Sequence, residues 1–165
     1  RQMCIRDSFK FRHEPGWANT LAEPMWLQAQ ANDLLSPHTV WVPIPVSPRR
    51  LAERGYNQAW ELCRALRRLS GLPALADALV RLGDAPDQHR LPPAQRLTNQ
   101  QGAFATHPTH VDRLRNARVV LVDDVRTTGA TLEHAALALR QAGCPGIDAL
   151  VFARTPSDSN QDRIA

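Results

Sequence analysis

Arg118 to Val125 is a mostly apolar run carrying two aspartates near its end. Thr131 to Ala142 follows, with Leu132, Ala135, Ala136 and Leu139 on one helical face, and Ile147 to Arg154 is a second apolar run. Few topologies accommodate that order. The runs have the length of buried strands, and Gly143-Cys144-Pro145-Gly146 is a helix stop between them. Strand, helix and strand at this spacing make a βαβ unit. The expected fold class is therefore α/β, with three layers and a mostly parallel sheet flanked by helices.

The rest of the chain fits around that unit. At 165 residues it suits one domain, taken as residues 9–165, with residues 1–8 read as a tail or scar. A helix is predicted over Thr20 to Leu35, with Thr20 and Glu23 at capping-box spacing, Leu27, Ala31, Leu34 and Leu35 inward, and Pro24 weakening its first turn. Thr39 to Val46 reads as a strand. Pro43 and Pro45 lack N–H groups on the same side of it, which favours a sheet edge or a departure from the ladder near Pro43. A polar, basic loop, Ser47 to Asn57, leads to a helix capped by Asn57, with Ala59, Leu62, Leu66 and Leu69 on one face and stops at Gly71 and Pro73. Residues 72–110 are turn-prone, and about 80–105 is read as a mobile lid segment.

Composition excludes several classes. No apolar run approaches the roughly 18 residues of a membrane span, and the N-terminus has no apolar segment of signal-peptide type, so cytoplasmic location is the expectation. Cys4, Cys63 and Cys144 form no C-x-x-C pair, which argues against a disulfide framework or a zinc site and leaves Cys63 as core or near-core. The net charge is +4, and Lys10 is the single lysine among twenty basic residues. Arginine forks suit phosphate. With aromatic content at 5% and no basic run interleaved with aromatics, single-stranded DNA is a weakly supported partner, to be met by Arg49, Arg50, Arg54 and the helix arginines. His107 and His110 in "HPTH" have metal-compatible spacing but no evident carboxylate or cysteine partner, so no metal site is assigned to them. His134 is read as a surface or packing residue.

The chemistry concentrates in "DDVRTTGAT", Asp123 to Thr131. It joins a strand end to a helix start, where open parallel sheets bind ligands. Thr127, Thr128, Gly129, Ala130 and Thr131 would present backbone N–H groups and hydroxyls to a phosphate at the positive end of a helix dipole. No lysine follows the glycine and no G-x-G-x-x-G occurs, so neither a Walker loop nor a dinucleotide fingerprint is present. Asp123 and Asp124, adjacent and mutually repelling, are poor neighbours for phosphate but good acceptors for sugar hydroxyls. A ribose 5-phosphate meets both demands.

An apolar run, two acidic residues and a T-T-G-A-T turn resemble the phosphoribosyl pyrophosphate signature of the type I phosphoribosyltransferases. "VPIPVSPRRLAERGYNQ" (Val42 to Gln58) and "QRLTNQQGAF" (Gln95 to Phe104) are similar to segments of the ComF family, competence-associated phosphoribosyltransferase-like proteins. "FKFR" at Phe9 to Arg12 is similar to the opening of that family's phosphoribosyltransferase domain, and the likeness covers about residues 9–154. The resemblance implies that Asp123 and Asp124 bind ribose and that Thr127 to Thr131 bind the 5-phosphate. It makes Arg50 and Arg54 the candidates for pyrophosphate and Arg96 and Asn99 the candidates on the lid, with Mg²⁺ bound together with the phosphoribosyl pyrophosphate.

The chain departs from the family pattern in three places. The cysteine-rich N-terminal segment common in the family is missing, which suggests truncation. Gly83 and Ala85 stand where a Thr and an additional Arg are usual, and Thr127 takes the place of the aspartate with which hypoxanthine-guanine transferases serve the purine. Purine salvage of that type is disfavoured. Two accounts follow: a phosphoribosyltransferase whose acceptor and general base are not evident, or a non-catalytic nucleotide-binding accessory protein of DNA uptake or nutrient reuse, with competence proteins as partners.

Overall fold

The computed structural model describes residues 17–82, 103–126 and 129–154. Strands β1 (Thr39–Pro43), β4 (Arg118–Arg126) and β5 (Gly146–Arg154) form one parallel sheet in the order β1-β4-β5. The register runs from Thr39 opposite Arg118 to Pro43 opposite Val122, and from Arg118 opposite Gly146 to Arg126 opposite Arg154. β4 is therefore central, and residues at its C-terminal end sit where parallel sheets present their ligands.

Alternation along β4 divides the core into two layers. Val119 and Leu121 face a cluster that includes Leu132, Ala135 and Leu139 of helix α5 (Ala130–Gln141). Val120 and Val122 face the opposite cluster, built on Leu21 and Met25 of α1 (Trp17–Ala31) and Leu62 and Leu66 of α3 (Gln58–Ser70). All four of these β4 residues are 1% exposed or less, so the strand is apolar on both faces as a central parallel strand requires. The three-layer α/β architecture expected above is the one observed.

α3 illustrates how local signals and packing combine. Asn57 accepts a hydrogen bond from the Ala59 N–H at 3.0 Å, and Gly71, at φ 70°, ends the helix in the left-handed conformation. A 13-residue helix is marginal by itself, so its order depends on burial. Leu62 and Leu66 are fully buried, each contributing about 1.5–3 kcal/mol. Leu69, expected inward, is 47% exposed, and Cys63 and Ala65 join Ala59, Leu62 and Leu66 in the buried face instead.

Four expectations require correction. Ser47 to Asn57 is not simply a loop: Pro48–Arg54 is a short helix, α2, with Ser47 as N-cap and Gly55, φ 79°, as C-cap. The proline suits a first turn, where its missing N–H has no helical acceptor to lose. α1 starts at Trp17, so Thr20 and Glu23 lie inside it; Leu27 is 59% exposed, and Leu21, Ala22, Met25 and Ala29 make the buried stripe. Residues 72–110 include an antiparallel ribbon, β2 (Leu79–Arg81) with β3 (Phe104–Thr106), followed by a 3₁₀ turn (Pro108–His110) and a short helix, α4 (Val111–Leu114). β1 stops at Pro43 rather than Val46.

The proline pair behaves as its spacing suggests. The Ile44 N–H reaches the Val122 carbonyl at 2.9 Å, so even-numbered amides of β1 face β4, whereas the Trp41 N–H reaches the Pro73 carbonyl on the other side. Pro43 and Pro45 thus direct their missing donors to that second side, where, among the described residues, pairing is confined to a bridge between Trp41 and Ala74. Cys63 is buried, as expected of a core residue, and Cys144 is buried as well. Among the described residues, no helix is long and apolar enough to cross a membrane.

Candidate functional site

The site begins where β1 and β4 separate. In a parallel pair, the Ile44 N–H to Val122 C=O bond would be followed by one from the Asp124 N–H to the Ile44 C=O. That next rung is replaced. The Ile44 carbonyl accepts from Asn57 Nδ2 at 3.1 Å, and the Asp124 N–H donates to Asp123 Oδ1 at 2.8 Å. Asn57 therefore caps α3 with its oxygen and ties off the end of β1 with its nitrogen. The strand ends are opened without leaving these groups unsatisfied.

Asp123 and Asp124 do not share a face. Following the alternation of β4, Asp123 continues the side of Val119 and Leu121, toward α5, and Asp124 the side of Val120 and Val122, toward α1 and α3. Asp123 is half-buried, while Asp124 is 8% exposed. A carboxyl group that buried in a central strand is uncommon, which keeps Asp124 a candidate site residue.

Gln58 is a second buried polar group at the same end of the sheet. It opens α3 beside Asn57 and is 2% exposed, and its Nε2 has no hydrogen-bond partner among the described residues. It stood in the quoted Val42 to Gln58 segment, but spacing gave no reason to single it out. Only the packing of α3 against the strand ends marks it.

Gly129 is the N-cap of α5 at φ 92°, ψ −10°, a conformation that side chains other than glycine's adopt with strain. Its carbonyl accepts the Glu133 N–H at 3.0 Å, which starts the helix; Ala130 and Thr131 lie exposed in the first turn. Thr127 and Thr128 are outside the described residues, as are Arg96 and Asn99, Gly83 and Ala85, and the Phe9 to Arg12 segment. Arg50 is exposed on α2, and Arg54, at the C-terminal end of that helix, is half-exposed. Arg49 pairs with Glu53 at 2.9 Å with 86% and 55% of the two side chains exposed, a contact worth a few tenths of a kcal/mol at most.

Histidines 107 and 110 have a partner that spacing did not reveal. His110 Nε2 lies 2.8 Å from Asp77 Oδ1, thirty-three residues away in sequence. His134 is exposed on α5, in line with a surface role. A groove of about 500 Å³ between α1 and β5, lined by Met25, Gln28, Leu34 and Phe152 among others, contains none of the predicted site residues.

Comparison with known proteins gives a consistent family and fold. The chain is 32% identical over 150 residues to Competence protein F of Haemophilus influenzae, covering 88% of this chain and 65% of that protein. It is 37% identical over 106 residues to Competence protein ComFC of Bacillus subtilis, covering 64% of this chain and 40% of that protein. The chain thus spans less than two thirds of the length of either relative. No family model matches it. Among solved structures, it shares its fold with part of the allosteric regulatory enzyme of purine biosynthesis, at TM-score 0.51 and 18% identity over 82% of this chain and 25% of that one.

Proposed function

The chain belongs to the ComF family, and on that premise we propose that it binds phosphoribosyl pyrophosphate, or a nucleotide carrying ribose 5-phosphate, at the C-terminal tip of β4. We further propose that it transfers the phosphoribosyl group to a nucleophilic acceptor. One observation carries the reading: the central strand closes on a half-buried and a buried carboxylate, and the chain then enters α5 through a glycine at φ 92°. Sugar hydroxyls need acceptors and a phosphate needs first-turn amides, and a ribose 5-phosphate lying across the strand end uses both.

In this reading Asp123 and Asp124 hold the ribose, and Thr127, Thr128, Gly129, Ala130 and Thr131 hold the 5-phosphate. Arg50 and Arg54 meet the pyrophosphate from α2, and Arg96 and Asn99 contact the ligand from the lid segment. The strand-end carboxylates and the Thr131 hydroxyl are hard oxygen donors, the class that Mg²⁺ accepts alongside the substrate's own phosphates. Mg²⁺ bound with the diphosphate supplies neutralising charge. The bond between the sugar's anomeric carbon and the pyrophosphate oxygen breaks with its electron pair leaving on pyrophosphate, the acceptor's lone pair forms the new bond, and the acceptor's proton passes to water. The side-chain oxygens of Asp123 and Asp124 favour the cationic sugar that develops between these events.

A second reading rests on the two relatives being competence proteins: the same clamp holds a nucleotide for an accessory role in DNA uptake, without transfer. Incubation with labelled phosphoribosyl pyrophosphate, Mg²⁺ and a panel of nucleobases and amines distinguishes the two. Acceptor-dependent release of pyrophosphate supports transfer. Saturable binding with no release supports the accessory role, and absence of binding to the folded chain overturns both.

A further inference from the structure

Apart from the strand-end site, the described residues bring three metal-compatible side chains together at the base of the β2–β3 ribbon. Asp77, His107 and His110 each offer one ligand atom, and these atoms lie within 4.8 Å of one another. We propose that Asp77, His107 and His110 form a binding site for a divalent transition metal of the zinc class, closing the base of this ribbon.

The fold sets up the cluster from two separate segments. Asp77 stands two residues before β2, and His107 immediately follows β3; the His107 N–H donates to the Ala78 carbonyl at 2.9 Å, which holds the two segments side by side. Ala78, Leu79 and Thr106 are buried beneath them, and Thr106 Oγ1 donates to the Ala138 carbonyl of α5 at 3.1 Å. Pro108 starts the 3₁₀ turn that brings His110 back: the His110 N–H donates to the His107 carbonyl at 3.1 Å, and the two imidazole rings stand 5.8 Å apart between centroids. The backbones of His107 and His110 are thus fixed, while the Asp77 side chain is exposed and the two imidazoles are partly so.

The donor set has a recognised chemistry. Two imidazoles and one carboxylate, with further positions open to water, suit zinc and its neighbours in the first transition row better than magnesium or calcium, which prefer oxygen-only sets. Zinc holds nitrogen and oxygen ligands at about 2.0–2.2 Å, so tetrahedral donors stand roughly 3.3 Å apart. The His110 Nε2 to Asp77 Oδ1 distance of 2.8 Å and the 4.8 Å limit on the cluster bracket that spacing. Small side-chain rotations close the difference, and Asp77, with 65% of its side chain exposed, has room to make them.

Two local contacts prepare the ligands. His107 Nδ1 lies 2.7 Å from Thr109 Oγ1 and accepts the Thr109 N–H at 3.4 Å, so the ring is held in a set orientation at the start of the 3₁₀ turn. His110 Nε2 and Asp77 Oδ1, 2.8 Å apart, already bring two of the ligand atoms face to face. Metal binding exchanges the Asp77 to His110 hydrogen bond for two coordinate bonds and adds His107.

The test uses the untagged, metal-free chain titrated with Co²⁺ and followed by visible ligand-field absorption. The expected result is saturation at one equivalent, displacement by Zn²⁺ but not by excess Mg²⁺, and no thiolate charge-transfer band. Asp77→Asn and His110→Ala should each weaken Co²⁺ binding by more than the roughly 10- to 100-fold that losing a second-sphere partner costs. Zn²⁺ should raise the melting temperature of the parent chain and not of these variants. Asp77→Asn keeps the size of an exposed side chain, so it remains informative if His110→Ala impairs folding. Failure to saturate, a thiolate band, or equal affinity in Asp77→Asn overturns the proposal, whatever the outcome with phosphoribosyl pyrophosphate.

Discussion

The Asp124 N–H donates to Asp123 Oδ1 at 2.8 Å, and the two neighbouring side chains project to opposite faces of β4. Adjacent carboxylates at a strand end are thereby kept apart, and one of them satisfies the backbone donor that the departing β1 no longer serves. The pair is an ordered terminus for the central strand as well as a candidate sugar site.

Asp124→Asn removes a charged acceptor without changing side-chain size, so the fold should hold. Under the proposed function it should weaken binding of phosphoribosyl pyrophosphate with Mg²⁺ by about an order of magnitude or more, the consequence of losing a charged hydrogen bond worth about 1.5–3 kcal/mol. Isothermal titration checks this. Undiminished affinity would remove Asp124 from the site.

Gly129→Val places a β-branched side chain at φ 92°. The strained conformation should cost on the order of 1–3 kcal/mol of stability, and the methyl groups would occupy the space needed for a phosphate on the first turn of α5. Denaturant melts should remain cooperative while phosphate-dependent binding is lost; retained affinity would make the turn a helix start and nothing more.

Asn57→Ala tests the coupling between fold and site. It deletes the N-cap bond to the Ala59 N–H and the bond to the Ile44 carbonyl together. The cap alone is worth roughly 1 kcal/mol, and leaving a part-buried carbonyl without its donor adds a comparable cost. The expected loss in urea unfolding is about 2 kcal/mol, and Asn57→Asp, which keeps the cap oxygen but not the donor, should fall between.

Burial raises the Cys63 thiol well above its ordinary pKa, and desolvation also raises that of Cys144 despite opposing backbone hydrogen bonds. The sign follows directly: both thiols remain neutral in the folded chain while unfolded thiols ionise near their usual value of about 8.5, so the contribution is intact below that pH and declines as pH rises above it. Thermal melts from pH 7 to 10 should show falling stability at the alkaline end. Cys63→Ala should reduce that slope, and in the native chain Cys63 should react with thiol reagents only as fast as the protein opens.

Legibility in the sequence tracked how local the determining physics was. The βαβ unit from Arg118 to Arg154 was readable because periodicity, length and the stop around Gly143 agreed over a continuous stretch, and the boundaries moved by a residue. Asn57 and Gly71 were readable as caps because capping is satisfied within a turn of helix. The face of α1 was not: Leu27 and Leu21 are equally apolar, and only the placement of α3 and β5 selects Leu21 for burial. The β2–β3 ribbon escaped notice because its three-residue strands gain their stability from Phe104 and Leu79 packing under α5 rather than from any pattern of their own.

The amino-acid sequence by itself determined the fold class, the central strand, the candidate phosphate turn at Gly129 and the carboxylates that precede it, because each depends on residues adjacent in the chain. The tertiary structure decided what those residues face. It separated Asp123 from Asp124 across the sheet, revealed Gln58 as a buried amide at the strand ends, and brought Asp77 to His110 across thirty-three positions. Backbone geometry is set by near neighbours, whereas burial, charge pairing and ligand donor sets arise where distant segments pack.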